Sequence, residues 1–474
     1  MAAKFDLYTG TLKYRDIDFM FAFDEEELRL VPPNDKRHVV DWDWKMKETT
    51  PGSYVFADPI LVEEPYLIGK CNETNHNIIF IPKTGSTLGL YNSVVRISLA
   101  AYVICKYDRD NVDRISFSCP EINYIHPVNQ ALSLSLSADD FQEKGIVSIS
   151  TQDYDSTTTE EQHFLVDGKT ITVFFGISRA VSTKINEPPL RVDSSMVFEF
   201  EPSCDFGFIY RLWWIARQFL RFLCYRKNIV MTKVELSSPC QDGKHETFAT
   251  MYILGQDSET ETNTLTKGRY IKQSYISGHE GEILTDIAQD NLYLRHLPDT
   301  YRSGRHIDAA RFVMITAAFE WEFHRLYPDG VKKTPATKQA EDAVFECIQK
   351  HIDDSTGKQK GIFKFLRKLV RSDSLQKEII QMGKDFSAII GPFGDRLYQL
   401  NDQELKYSEM GQRLADQRNH FAHGDLNKEF IGLSLLDLIY MEYVVYALQL
   451  KHYGIEDKLI QKSINDLFHL NFAI

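Results

Sequence analysis

Two hydrophobic patterns divide the chain. Up to about residue 200, short runs of alternating apolar and polar residues are separated by Gly, Pro, Asn and Asp, as in 5–10, 77–82 and 170–176. Alternation with a period of two is typical of β-strands, and the intervening residue types favour turns. Residues 206–226 differ, because their apolar side chains recur every three or four positions and predict a helix. The first part of the chain is therefore predicted to be mainly β, with one internal helix.

Beyond about residue 285 the apolar spacing changes to three and four. Six segments show this spacing, and Gly, Pro or Asp clusters separate most of them. They are residues 307–326, 336–352, 358–371, 375–390, 403–418 and 433–453. Consecutive amphipathic helices of this length are typical of a helical bundle. The sequence thus predicts an α+β protein with a β-rich N-terminal domain, 1–285, and an all-α domain, 286–474.

Composition narrows the class of protein. A length of 474 residues exceeds the usual size of one domain, and a hydrophobic content of 43% excludes a disordered chain. The seven cysteines are scattered without a Cys-x-x-Cys pair, which argues against a disulfide framework and a zinc ribbon. The histidines are also dispersed, so we expect neither a metal nor a cofactor. Because no secretory leader opens the chain, we expect a cytoplasmic protein.

One segment has the length of a membrane span. Residues 431–450 are largely apolar, but Asp437 and Glu442 lie near their centre. An Asp in the middle of a membrane helix costs about 2.5–3.5 kcal/mol. We therefore expect a buried helix of the bundle and no membrane partner.

Charge is unevenly distributed along the chain. The net charge is −13, yet residues 301–474 hold 24 basic and 24 acidic side chains, so the excess of acid lies in the first 300 residues. A basic stripe also follows one face of the third predicted bundle helix. Its members are Lys360, Lys364, Arg367, Lys368 and Arg371. Such a stripe can follow the phosphate backbone of a nucleic acid with little sequence preference, and an ordinary solvated helix face is the alternative interpretation.

The segment 416–425, DQRNHFAHGD, combines residues that suit phosphate chemistry. The Arg418 guanidinium offers a planar set of donors to phosphate oxygens, and His423 can exchange a proton near neutral pH. In an unbroken helix, five residues at about 100° each would separate the two side chains by about 140°. They converge only if the helix bends or ends between them, which Gly424 permits. The alternative is structural, with Arg418 at a helix terminus and His420 and His423 in core or capping positions.

The residues RNHFAH at 418–423 resemble the motif of the HEPN superfamily of helical bundles, in which Arg and a polar residue precede a His. The chain is similar in particular to the ApeA-like HEPN proteins, in which the bundle follows a larger N-terminal region and which are associated with anti-phage defence. A second segment, AAFEWEFHRL at 317–326, is similar to an early bundle helix that offers an acidic residue to the motif arginine. The resemblance covers about residues 300–474, and over 1–285 it rests on layout and length.

The resemblance implies a metal-independent endoribonuclease. His423 would be the general acid/base, and Arg418 would stabilise charge on the scissile phosphate. Asn419, the polar residue after the arginine, would orient the phosphate or the histidine.

Two assignments stay open within this implied site. His420 is a second imidazole, so either His420 or His423 is the general acid/base. Glu320 and Glu322 compete for the acidic role beside the arginine, and Glu320 is favoured.

The resemblance also implies partners. Such bundles usually pair so that two motifs face each other, so we expect a homodimer or a larger even homo-oligomer. We also expect an RNA substrate. A phage-derived trigger would act through the N-terminal domain in an abortive response. The main alternative is a non-catalytic HEPN module that binds RNA, nucleotide or a partner protein.

Overall fold

The computed structural model describes residues 5–109, 111–135, 145, 148–240, 244–256, 260–370, 373–422 and 429–473. The chain divides into two compact units, Met1–Gln289 and Asp290–Ile474. We predicted this division four residues earlier, between 285 and 286. The first unit is rich in strands, and most of the helices lie in the second unit. The α+β class with a β-rich N-terminal part is thereby confirmed.

Fourteen of the described strands of the first unit form one antiparallel sheet. The strands are β1 (Tyr8–Tyr14), β2 (Ile17–Phe23), β3 (Leu28–Val31), β4 (Met46–Thr50), β5 (Ser53–Phe56), β6 (Leu67–Cys71), β7 (Asn77–Pro82), β8 (Gly89–Tyr91), β9 (Val94–Ile97), β10 (Leu99–Cys105), β11 (Val112–Phe117), β12 (Leu132–Ser135), β13 (Ser148–Thr151), β14 (Gln162–Val166), β15 (Lys169–Val181), β16 (Leu190–Ser203), β17 (Lys233–Pro239) and β18 (His245–Ile253). Their order across the large sheet is β14-β15-β16-β11-β17-β18-β10-β7-β6-β1-β2-β3-β9-β8, and β4-β5 and β12-β13 form two small sheets.

The apolar residues of the alternating sequence pattern form the buried core against this sheet. In β2, Phe19, Phe21 and Phe23 are buried, whereas Asp18 before Phe19 and Met20 before Phe21 are exposed. Burial of each aromatic side chain contributes about 1.5–3 kcal/mol. A slip of the strand by one residue would expose all three rings, so this burial fixes the register.

Four α-helices occur among the described residues of the first unit. They are α1 (Pro120–Ile125), α2 (Phe206–Cys224), α3 (Thr262–Thr266) and α4 (Glu280–Ala288). The predicted internal helix is α2, which begins where the Asp205 side chain accepts a hydrogen bond from the backbone N–H of Phe208 at 3.1 Å. It ends at Tyr225, whose φ of 51° is left-handed.

The second unit is helical in its described part. Its helices are α5 (Ala309–Leu326), α6 (Pro335–Asp354), α7 (Gly357–Val370), α8 (Leu375–Gln399), α9 (Tyr407–Ala422), α10 (Ser434–His452) and α11 (Asp457–Phe468). Each of the six predicted segments overlaps one of these helices, and α11 is an element that we did not predict.

The predicted end of α8 was wrong. We predicted that this helix stops at residue 390, before Gly391 and Pro392, but it continues to Gln399. A proline inside a helix leaves the carbonyl four residues earlier without its N–H donor. Here Gln461 of α11 supplies the donor, because its side-chain amide bonds the carbonyls of Ala388 and Ile389 at 3.0 and 3.1 Å.

The acidic residues of the long apolar segment have partners inside the second unit. Asp437, at the start of α10, accepts from Arg413 at 2.7 Å, and Glu442 accepts from Arg311. Most of α10 is buried, as expected for a helix of the bundle. Over the part of the chain that the structure describes, no helix combines the length and apolar character that a membrane crossing requires.

Candidate active site

The helix that carries the sequence motif lies four residues further along the chain than predicted. We predicted residues 403–418, but α9 is Tyr407–Ala422, so the predicted end at Arg418 was wrong. Phe421 explains the extension, since it is only 3% exposed and its ring lies 5.4 Å from that of Phe312 and 5.6 Å from that of Phe430. Burial of this ring stabilises the last turn by about 1.5–3 kcal/mol.

Arg418 is held by a carboxylate from another helix. Its guanidinium donates a hydrogen bond to Oε1 of Glu320 on α5. The two side chains are 31% and 26% exposed, so the pair lies at the edge of the core within reach of solvent. A guanidinium has five N–H donors, and this bond uses one of them. The arrangement fixes the position of a cation that can still bind a phosphate.

Glu322 has a different environment, although it lies only two residues from Glu320. Two residues rotate the helix by about 200°, so the two carboxylates point to opposite sides of α5. Glu322 is fully buried, pairs with Arg325, and accepts hydrogen bonds from the backbone N–H of Tyr293 at 2.9 Å and from Gln449 at 3.2 Å. Burial raises the pKa of Glu322. Of these two acids, Glu320 pairs with Arg418, whereas Glu322 holds the core together.

A second carboxyl group near the arginine was missed by the sequence analysis. Glu378, in the first turn of α8, has a side chain that is 3% exposed, and its Oε1 lies 3.4 Å from Nε2 of His324. Its Oε2 has no hydrogen-bond partner among the described residues. The pKa of Glu378 is raised to about 7, mainly by burial and also by the charges of Glu320 and Asp373, while the charge of Arg418 opposes the rise.

One sequence signal for this cluster was available. His324 follows Glu320 by four residues in the segment that resembles the early bundle helix, and residues four apart share a helix face. Glu378 gave no comparable signal, because an acidic residue in the first turn of a helix is common for reasons of helix polarity alone.

The remaining motif residues are spread around α9. Asn419 is exposed and His420 is half-buried. Because the helix is continuous through Ala422, His420 lies about 200° from Arg418 and does not share its face. His423 and Gly424 lie outside the described residues. Among the described residues, the structure therefore brings Arg418 together with Glu320 and Glu378, and it separates Arg418 from His420.

The basic stripe lies on α7. Lys364 and Lys368 are exposed, Lys360 is half-buried, and none of these three lysines forms an ion pair with a described residue. Arg367 faces α6 instead, where it donates to the side chain of Gln349 and its guanidinium lies 5.6 Å from the ring centroid of Phe345. Of the predicted stripe, three lysines without an ion-pair partner among the described residues therefore remain. Arg371 lies outside the described residues.

The opposite face of α7 is apolar and exposed. Ile362 is 60% exposed, Phe365 is 61% exposed and Leu366 is 39% exposed. Large apolar side chains that lie together at the surface are typical of a protein interaction site.

The cluster around Arg418 has the groups that phosphate chemistry needs. The guanidinium can bind phosphate oxygens in its planar geometry. Glu378 can hold or release a proton near neutral pH, since burial raises its pKa to about 7. Among the described residues, no group of three or more His, Cys, Asp or Glu side chains is arranged to hold a metal ion.

Comparisons of the chain with protein-family models, with curated proteins and with solved structures gave no match. Function is therefore inferred from the geometry around Arg418 and from the motif in the sequence.

Proposed function

We propose that residues 286–474 form a metal-independent endoribonuclease of the HEPN type. The observation that supports the proposal most directly is the ion pair between Arg418 on α9 and Glu320 on α5. In HEPN-like bundles an early helix is expected to offer an acid to the motif arginine, and Glu320 is such an acid. The pair holds a guanidinium at the end of a helix, where a phosphate can reach it.

In the proposed reaction, His423 removes the proton from a 2′-hydroxyl of RNA. The oxygen then attacks the adjacent phosphorus, and the bond to the 5′-oxygen breaks. The imidazolium of His423 gives its proton to the departing 5′-oxygen, which leaves a cyclic phosphate, a 5′-hydroxyl and a neutral imidazole. Arg418 stabilises the charge that develops on the phosphate, and Asn419 orients the phosphate or the imidazole. Positioned groups of this kind each contribute about 10²–10⁴-fold to the rate.

The test is an incubation of the purified chain with tRNA or total RNA in the presence of EDTA. Cleavage should occur without metal and should fall by about 10²–10⁴-fold in Arg418→Ala and in His423→Ala. Arg302→Ala and His306→Ala are matched controls, because both side chains are exposed residues of the same unit. Cleavage that requires a metal, or that survives both motif substitutions, would refute the proposal.

The second candidate function is a non-catalytic module that binds RNA, nucleotide or a partner protein. Phe421 favours this second function, because its buried ring gives the motif segment a structural role in the core. Thermal melts separate the two functions. If His423→Ala lowers the melting temperature while no RNA is ever cut, the motif is structural.

We further propose that the chain forms a homodimer or a larger even assembly. The exposed apolar face of α7 supports this, and so does its charge, because α7 carries five basic residues and α6 five acidic ones. Helices α6 and α7 follow each other in the chain. If two copies are related by a two-fold axis, α6 of each copy can pack against α7 of the other. Light scattering should give a dimer mass, which Phe365→Lys should reduce to that of the monomer. Leu400→Lys is the control, since Leu400 is 74% exposed on the same unit.

The acidic first unit is proposed to restrain the ribonuclease until a phage-derived trigger acts in the cytoplasm. The support is the charge distribution, because the excess of acid lies in residues 1–300 and would repel RNA. Expression of residues 286–474 alone should then be more toxic than expression of the full chain, and its RNA affinity should be higher. If neither property changes, the first unit has a role other than repulsion of RNA.

A further inference from the structure

A pocket of about 350 Å³ opens in the first unit where three neighbouring strands have their ends. β7 and β18 finish at this edge of the sheet and β10 begins there, since β10 is antiparallel to both. Helix α2 forms the facing wall. The pocket lies far along the sequence from the proposed ribonuclease motif and entirely within the first unit.

The backbone around the pocket is held by hydrogen bonds. Lys83 follows β7 and donates its N–H to the carbonyl of Ser98 at 2.9 Å, and Leu254 follows β18 and donates to Ala100 at 2.9 Å. The Gln256 side chain accepts from the N–H of Met231 at 2.9 Å and donates to its carbonyl at 3.3 Å. The walls are therefore preformed, as is usual for small-molecule sites.

One wall of the pocket is aromatic. Tyr210 and Trp213 of α2 stack with ring centroids 5.1 Å apart and planes at 24°. Trp213 is 3% exposed and donates its indole N–H to the Met231 carbonyl at 3.1 Å, so it forms a fixed backing. Tyr210 is half-buried and presents its ring to the pocket. A planar ring supported in this way is a surface on which a second planar group can stack.

The same pocket contains two cations that have no acidic partner. Arg217 donates its Nε–H to the carbonyl of Ile229 at 2.9 Å, and its terminal nitrogens have no hydrogen-bond or ion-pair partner among the described residues. Lys83 is exposed and likewise forms no ion pair with a described residue. No acidic side chain belongs to the described lining. Burial lowers the pKa of Arg217, so the guanidinium gains stability from any anion that neutralises it.

These features are unusual in their surroundings. Residues 1–300 hold 43 acidic and 30 basic side chains, so a pocket with two unpaired cations opposes the charge of its own unit. A pocket with local positive charge in an otherwise acidic region attracts anions. The adjacent aromatic wall and the apolar side chains of Ile253 and Leu254 add a surface for a planar ring.

We infer that this pocket binds a nucleoside monophosphate, with the phosphate between Lys83 and Arg217 and the base against Tyr210. The volume of about 350 Å³ is near the lower end of small-molecule sites, which favours a mononucleotide over a larger ligand. The inference concerns binding by the first unit, so it does not depend on the ribonuclease proposal.

The experiment is calorimetric titration of the full chain with adenosine 5′-monophosphate, adenosine and inorganic phosphate. We expect the monophosphate to bind more tightly than either fragment, and binding to weaken as salt is raised. Lys83→Glu should weaken binding of the monophosphate by about tenfold to a hundredfold, as expected for the loss of one charge-assisted hydrogen bond. Lys47→Glu is the matched control, because it makes the same change of charge at an exposed lysine of the same unit. Tyr210→Leu should weaken the monophosphate but not inorganic phosphate.

Four outcomes would overturn the inference. They are absence of binding at millimolar monophosphate, equal binding of adenosine or of inorganic phosphate, retention of binding in Lys83→Glu, and preferential binding of a short oligoribonucleotide. Lys83 is exposed and its side chain forms no hydrogen bond or ion pair with a described residue, so circular dichroism should show that Lys83→Glu is folded. Arg217→Lys is a second variant, which keeps the charge and should retain weakened binding.

Discussion

Replacement of Glu378 by Gln should stabilise the second unit at high pH. The pKa of Glu378 is raised from 4.5 to about 7, mainly by burial. Between these two values the folded chain retains a proton that the unfolded chain has released, so the free energy of unfolding falls as the pH rises. At about 1.36 kcal/mol per pKa unit, the loss above pH 7 is about 3 kcal/mol. Gln has the same shape and cannot ionise, so Glu378→Gln should escape this loss.

Urea denaturation of the full chain between about pH 5 and about pH 8, followed by far-UV circular dichroism, measures the effect. At the acidic end the variant and the parent should have similar stability, because Glu378 is then protonated in the folded state. The advantage of Glu378→Gln should grow towards about 3 kcal/mol as the pH passes 7. Glu404→Gln is the control, since Glu404 is 78% exposed beside Lys406 and an exposed pair contributes little.

Parallel stability curves for the parent and Glu378→Gln across this range would refute the reasoning. They would mean that Glu378 ionises at the same pH in both states, and hence that its burial is offset by His324 and Arg418. A curve in which Glu378→Gln is less stable at high pH would refute it more strongly, because the carboxylate would then contribute a favourable ion pair.

Three further substitutions distinguish residues of the proposed active site from residues that stabilise the core. Glu320→Gln should reduce RNA cleavage by about tenfold to a hundredfold, because one charge-assisted hydrogen bond to Arg418 is weakened, while the melting temperature changes little. Glu322→Ala should cost about 3–5 kcal/mol in urea denaturation, since it removes the buried carboxylate that pairs with Arg325. Phe421→Ala should cost about 3–5 kcal/mol in the same measurement, through loss of a buried ring.

The helices of the second unit could be predicted from sequence because the spacing of apolar residues is a local property. The end of α8 could not, since the carbonyl that Pro392 leaves without a backbone donor is bonded by Gln461, which is far away in sequence. Helix α11 was missed although Ile460, Ile464 and Leu467 are buried with helical spacing, because one further buried position is a serine. A polar residue on the inner face weakens the hydrophobic pattern without preventing the helix.

The candidate site was predictable in part. The Arg418 motif and the acidic segment around Glu320 are short patterns, and their pairing follows from the packing of α5 against α9. The properties of Glu378 depend on burial by other helices, so no local pattern in the sequence records them. The C-terminal end of α9 was predicted too early because the apolar contribution of Phe421 lies beyond the polar residues Asn419 and His420.

The charge that an RNA phosphate meets at this site is set by a few neighbouring groups and not by the net charge of −13. Exposed charges are screened beyond about 10 Å, whereas two charges about 4 Å apart near a protein surface interact by about 4 kcal/mol. Arg418 and Glu320 cancel each other, so the proton on Glu378 decides whether these three side chains together are neutral or negative.

Glu320 and His324 of α5, Asp373 before α8 and Arg418 of α9 are the charged or titratable groups around Glu378. As the pH rises through about 7, Glu378 ionises and the cluster gains one negative charge, which repels phosphate. RNA affinity should therefore fall over this range, and Glu378→Gln should remove the fall. Fluorescence anisotropy on a His423→Ala background measures the effect without cleavage, and an unchanged pH dependence in the double variant would show that another group controls the charge of the site.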